Sequence, residues 1–361
     1  MLRTICTITM LFALCCNAQA QHSVKYEIPL PKSLQPAPDT VSVVFIGDVM
    51  MHARQLGYDC TRFLEPVRDM LTDADIAVAN MEFTLAGEPY TGYPAFSAPD
   101  KYAEYAADCG IDVFLTANNH ILDKGTAGLR RTLKVYETMH DSRGIHYTGT
   151  APDEKADTTV NPLIVVGRGI RIAMVNFTYG TNSGGSDQWP IVRRASREKV
   201  AEDIARAKSR GADYIVALPH WGDEYVLKHG HWQEDWAGWL VSQGVDLIIG
   251  THPHVVQDTS RIGNVPVIYS LGNAISNMSA TNTRLELAAT VKFVRHYDGS
   301  TEMLLPELTW MWCTLPGMLT DGYATIPVES YLGRRDEWIN PGDYDNMVAT
   351  YHRVRNVTGI N

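Results

Sequence analysis

Cysteine is sparse in this chain. Of six cysteines, Cys6, Cys15 and Cys16 fall in an apolar N-terminal stretch, and only Cys60, Cys109 and Cys313 lie beyond it. Three scattered thiols allow at most one intramolecular disulfide, which excludes a disulfide scaffold. Long hydrophobic runs are also missing. After the N-terminal stretch no segment approaches the roughly 20 apolar residues that a membrane span requires. Basic charge is in deficit: 31 Lys and Arg stand against 41 Asp and Glu, a formal net charge of −10. That balance argues against nucleic acid and against general binding to an anionic membrane. A specific anionic substrate stays open if metal ions supply the local positive charge. No repeat, heptad seam or low-complexity tract is visible. A hydrophobic content of 45% over 361 residues is enough to bury a substantial core.

The N-terminus reads as a leader. MLRTICTITMLFALCCNAQAQ sets Arg3 before an apolar run and ends in Ala18-Gln19-Ala20, the small-x-small pattern of a cleavage site. The run from Ile5 to Cys16 is too short for an anchor. Residues 1–20 are therefore expected to be a signal peptide cut near Ala20, with the mature chain periplasmic or extracellular. A lipoprotein is the less favoured alternative, because Leu14 and Cys15 are poor residues ahead of a lipid-accepting cysteine. Residues 21–40 carry four prolines and read as a linker or extended arm. A domain over 41–335 and a C-terminal helix and tail over 336–361 complete the chain.

From Val41 onward short β-branched runs alternate with amphipathic stretches. Strands are expected at 41–46, 76–79, 113–117, 172–177, 214–218, 245–249 and 267–270. Helices are expected at 59–71, 101–109, 125–139, 197–209 and 232–243, with Gly110 and Gly244 as C-terminal caps. Near-continuous apolar strands between helices indicate an α/β sheet covered on both faces. After Thr283 the pattern changes to alternation (LELAATVKFV, TEMLLPELTWMWCTL), which predicts antiparallel strands and then a helix over 343–354.

The chemistry lies just past the end of each strand. The runs lead into Gly47-Asp48 (with His52 four residues on), Asn80-Met81-Glu82 and Asn118-Asn119-His120 (with Asp123 next). The later ones lead into Pro219-His220-Trp221, His252-Pro253-His254 and Leu271-Gly272-Asn273. Ligands of open α/β sheets bind outside the carboxyl ends of the strands, so a single sheet would gather all of these at one edge. Carboxylate, amide oxygen and imidazole suit Mn, Fe, Zn or similar ions. Glu82 has the reach to bridge two metals, and His252 and His254 offer two imidazoles to neighbouring positions. Taken singly, each is more often a turn residue, a cap or a structural hydrogen-bonder; six such coincidences point to a divalent-metal site. The polar loop Thr178-Tyr179-Gly180-Thr181-Asn182 reads equally as a cleft wall, through Thr178, Tyr179 and Asn182, or as plain surface. Trp221 and Tyr225 are further candidate wall residues, with packing as their other reading. Asn273 is a candidate for orienting a histidine ligand.

In this order GDVMMH, ANMEFTL, ANNHILDKG, PHWGDEY, GTHPHVVQ and YSLGN resemble the CapA family, the poly-γ-glutamate capsule synthesis proteins. These are similar in turn to calcineurin-like metallophosphoesterases. The resemblance runs over roughly Val41 to Ser276. It implies a four-layer α/β/β/α sandwich with a centre of one or two metals. It also implies Asp48 and His254 on the first metal, Glu82 as bridge, and Asn119, His220 and His252 on the second. His120, with Asp123 in the same NNHxxDxG block, becomes the catalytic acid or oxyanion-stabilising group. One departure stands out: Asp48-Val49-Met50 has methionine where the phosphoesterase pattern has histidine, and His52 is the candidate replacement. The bridging group is also glutamate in place of aspartate.

Two functions fit these residues. The favoured one is a metal-dependent hydrolase of the cell envelope, acting on a phosphoester or on a γ-glutamyl or other amide. The alternative is a non-catalytic component of capsule polymer synthesis or export, gripping polymer carboxylates through its metals. Capsule-synthesis membrane proteins are conceivable partners of either.

Overall fold

The structure, a computed structural model, describes residues 39–184 and 188–360. The expected signal peptide, and the arm up to residue 38, lie outside these residues. Two sheets carry the fold. In the first, Ala324–Pro327, Glu307–Thr314, Leu285–Arg295, Asp39–Val49, Ile76–Met81, Val113–Leu115 and His146–Thr148 lie side by side in that order, and Thr301–Met303 pairs with Leu285–Arg295. The four strands from Asp39–Val49 to His146–Thr148 run parallel, and the rest join antiparallel. The second sheet orders Thr259–Ile262, Val265–Ile268, Leu247–Ile249, Tyr214–His220, Ile170–Thr178 and Leu163–Gly167. Its four inner strands are parallel and its two edge strands antiparallel.

Alternation along each strand sorts the apolar residues into layers. Val41, Val43 and Phe45 meet Ile172, Met174, Val216 and Leu218 of the other sheet in one shared core. Val44 and Ile46 point the other way, into the helices Asp100–Asp108 and Gly125–Arg143. On the far side Val175, Ile215 and Ala217 pack beneath Arg197–Ser209 and His231–Ser242. The result is the four-layer α/β/β/α sandwich. The C-terminal helix Pro341–Thr358 adds Met347, Tyr351 and Val354 to the inter-sheet core. It is tied to the sheet by Arg284, which donates to both carboxylate oxygens of Asp343 at 2.6 and 2.7 Å in a buried setting.

Two expectations need correction. The strand ends belong to two sheets, as the family resemblance implies, and not to the single sheet that the residue pattern alone suggests. The stretch 59–71 is not one helix but two 3-10 turns, Cys60–Arg62 and Glu65–Val67, followed by the short helix Arg68–Thr72. Pro66 lacks the backbone donor a continuous helix would use there, and the Asp59 carboxylate takes the Thr61 amide into a separate turn. Among the described residues no helix is long and apolar enough to cross a membrane.

Candidate metal centre

The parallel strands of both sheets end at the same place. Asp48 closes Asp39–Val49, and Asn80 and Glu82 stand at the end of Ile76–Met81. His220 ends Tyr214–His220, and His252 and His254 come after Leu247–Ile249. Close backbone approach makes this possible. The Asp48 amide donates to the Gly272 carbonyl at 2.9 Å, and a Cβ on Gly47 would sit 1.9 Å from that oxygen. Only glycine fits there, so the strand carrying Asp48 lies directly on the turn carrying Asn273. His252 and His254 hold positive φ, 103° and 58°, a backbone conformation that non-glycine residues rarely adopt. Such strain is found where surrounding structure imposes a functional geometry.

Five predicted ligands come together. Asp48, Glu82 and His254 form one group, and Glu82, His220 and His252 another; within each, one donor atom per residue lies within 4.8 Å of the others. Glu82 belongs to both, as a bridge would. Its carboxylate oxygens are buried and neither has a hydrogen-bond partner, and His252 Nδ1 is likewise buried without one. Buried polar atoms are almost always paired, so orphaned atoms of this type, on residues of one group, fit a divalent cation. Asn119 Oδ1 lies 2.8 Å from His220 Nε2, placing the amide oxygen beside the second group.

Neighbouring side chains fix these groups. Asn80 Nδ2 donates to Asp48 Oδ1 at 2.7 Å. Asn273 Oδ1 lies 2.9 Å from His254 Nδ1, and Thr251 Oγ1 lies 2.9 Å from His220 Nδ1. With Nδ1 so engaged, His254 Nε2 faces Glu82 Oε1 at 3.8 Å, and His220 Nε2 lies 3.9 Å from the same oxygen as well as 2.8 Å from Asn119 Oδ1. Burial, reinforced by the Asp48 charge, pushes the Glu82 carboxyl well above the usual carboxylate range. Burial and the neighbouring imidazoles lower His220 well below its ordinary value and take His252 down to about 3. Burial also works to lower His254, but hydrogen bonding and attraction from Asp48 outweigh it, and its pKa is raised. Two neutral imidazoles are therefore ready as ligands at neutral pH.

Beside the centre His120 Nδ1 lies 2.7 Å from Asp123 Oδ2, and its Nε2 lies 3.9 Å from Glu82 Oε1. Asp123 also accepts the Phe96 amide at 2.8 Å, which fixes the carboxylate. A cavity of about 450 Å³ opens here, with His120, Asp123, Asn182, Glu224, Tyr225 and His254 in its wall. Asn182 reaches His120 Nε2 at 3.4 Å, and Tyr179 lies over His252 with ring centroids 4.5 Å apart.

Three expected site residues are elsewhere. His52 belongs to neither ligand group; its Nδ1 lies 3.2 Å from both Gln55 Oε1 and the Asn277 amide nitrogen, and burial lowers its pKa to about 4. Thr178 is buried and donates to the Gly180 carbonyl, shaping the loop rather than walling the cavity. Trp221 is fully buried, its Nε1 donating to the Tyr269 carbonyl at 2.9 Å. Conversely, Tyr225 does line the cavity, the second of its two readings, and so does Glu224, which residue type and order did not single out. Their signal was the acidic-aromatic pair ending PHWGDEY.

Comparison with known proteins agrees with this geometry. The profile of the bacterial capsule synthesis protein family PGA_cap matches residues 42–278, the segment that holds all of these candidate ligands. The chain belongs to that family. It is 26% identical over 261 residues to the capsule biosynthesis protein CapA of Bacillus anthracis, covering 68% of this chain and 62% of that protein. It is 28% identical over 273 residues to the PGA biosynthesis protein CapA of Bacillus subtilis, covering 70% and 68%. Among solved structures, a candidate 5′-nucleotidase from Staphylococcus aureus superimposes with a TM-score of 0.50 at 14% identity, over 75% of this chain and 54% of that one. At that identity the likeness shows the fold alone, the four-layer α/β/β/α sandwich.

Proposed function

We propose that this family member is an exported, metal-dependent hydrolase of a cell-envelope substrate, a phosphoester or a γ-glutamyl or related amide. The observation that carries the reading is Glu82, a buried carboxylate with two unpartnered oxygens shared by two ligand groups. Asp48, Glu82 and His254 would hold one ion, and Asn119, His220 and His252 with Glu82 a second; Mn, Fe and Zn suit these donors. When bound, such ions supply Lewis acidity, polarising a substrate oxygen and an attacking water. No lysine or arginine lines the cavity among the described residues, so positive charge for an anionic substrate has to come from cations.

The chain's own contribution centres on His120. Asp123 holds its Nδ1 proton and so presents Nε2 to the cavity. As water adds to phosphorus or carbonyl carbon and the bond to the leaving group breaks, His120 in its doubly protonated form gives its Nε2 proton to the departing oxygen or nitrogen and keeps its Nδ1 proton on Asp123. Asn182 steadies the ring, and Tyr179 shields His252 from water. A polymer-binding role without turnover needs no such proton donor, so the His120–Asp123 pair favours the enzyme.

The test is turnover by purified protein loaded with Mn, Fe or Zn, on a panel of phosphoesters and γ-glutamyl peptides. Metal-dependent turnover is expected, and its absence on the whole panel would count for the binding-only role. Export is tested separately by N-terminal sequencing: a mature end near Gln21 is expected, and an intact Met1 on cytoplasmic protein would refute it.

A further inference from the structure

The carboxylate of Glu224 has no part in the proposed chemistry, yet it reaches the centre. One of its oxygens and one ring nitrogen each of His252 and His254 lie within 4.8 Å of one another. The backbone holds it there. Tyr225 adopts a positive φ of 67°, and its amide donates to the Pro253 carbonyl at 2.9 Å, pinning the Glu224 segment to the His252-Pro253-His254 turn. Glu82 is fully buried whereas Glu224 is exposed, so the two carboxylates approach the histidine pair from the interior and from the solvent side.

Met50 supplies the second half of the case. It is buried and lines the same cavity as Glu224 and His254, where its thioether is a poor donor to a hard divalent ion. His52 does not join the group. We propose that Glu224 is a ligand of the metal centre and supplies the donor that Met50 lacks. The assignment rests on the metal-centre reading and extends it. The position around Asp48, Glu82 and His254 becomes rich in oxygen, three carboxylates to one imidazole, and suits Mn or Mg. The position around Asn119, His220 and His252 keeps more nitrogen and suits Zn or Fe. The centre is thereby fitted for two unlike ions.

The test uses the full mature chain with Mn²⁺ as probe, followed by titration calorimetry and elemental analysis with no turnover required. Glu224→Gln should weaken one Mn²⁺ equivalent by at least about tenfold, the effect reached even by losing a group that only orients a ligand. The other equivalent should stay. Glu224→Asp should lose less, and Glu224→Gln with Met50→His should regain the equivalent. Because Glu224 is exposed, the metal-free variant should melt with the wild type, which separates ligand loss from misfolding. Equal Mn²⁺ binding by wild type and Glu224→Gln would overturn the assignment, and so would a double variant that regains nothing. A wild type that takes up no ion would overturn the proposed function along with it.

Discussion

The imidazole of His120 is held by Asp123 at 2.7 Å on one nitrogen and faces the buried carboxylate of Glu82 at 3.9 Å on the other. His120 thus stands beside both ligand groups without belonging to either. His120→Asn should lower turnover by about 10² to 10⁴, the usual worth of a general acid, with metal content unchanged. Asp123→Asn should give a smaller loss, again without loss of metal. Steady-state kinetics and elemental analysis of the same samples check both. A His120→Asn protein with full turnover would remove His120 from the mechanism.

Glu82 sets function against stability. Its folded pKa is raised well above the unfolded value of 4.5, so its contribution to metal-free stability is complete below about pH 4.5. That contribution is lost as pH rises toward the folded value. Glu82→Gln removes the penalty along with the bridge. The metal-free variant should melt higher than metal-free wild type, by a margin that widens from pH 5 to pH 8, and should bind no ion pair. A thermal-shift series with and without chelator reads both; a variant melting below wild type at pH 8 would contradict this account.

Removing both imidazoles of the His252-Pro253-His254 turn should empty the centre and leave the fold. His252→Ala with His254→Ala takes one donor from each ligand group. Elemental analysis should then find essentially no Mn, Fe or Zn, while circular dichroism stays that of metal-free wild type. Equal metal in the two proteins would put the site elsewhere.

His52 should matter to acid stability and not to metal. Its folded pKa of about 4 lies below the unfolded 6.5, so the stability it contributes is present above pH 6.5 and lost as pH falls through 4. The gap corresponds to on the order of 3 kcal/mol. Urea unfolding of His52→Asn at pH 6.5, 5.5 and 4.5 should show a shallower decline than wild type. Loss of a metal equivalent in this variant would restore His52 as a ligand.

Much of this architecture could be read from residue order, for identifiable reasons. The helix at 197–209 was bounded correctly because Ser196 caps it, accepting the Lys199 amide. Asp48, Glu82, His220, His252 and His254 could be collected because ligand-bearing turns come after apolar strands. The division into two sheets came from the family resemblance and not from residue pattern, since a strand buried on both faces has the same composition whichever sheet it joins. Nor does residue type reveal direction. Trp221 and His220 are adjacent on an extended chain, so one enters the core under Tyr269 while the other faces Glu82. Glu224 escaped notice because it sits in a polar loop four residues past a ligand, with its position set by the Tyr225–Pro253 contact.

The seam between the sheets also constrains the order of assembly. Asp48 and His254 are far apart along the chain and meet only where the first sheet already lies on the second. Closing so long a loop is slow and yields nothing until both sheets are formed. An ion held by both residues would therefore be captured last, once the inter-sheet core has closed, and would not serve as a folding nucleus. Apoprotein trapped before that step should show native-like helices yet hold no metal, which makes metal retention a report on finished molecules.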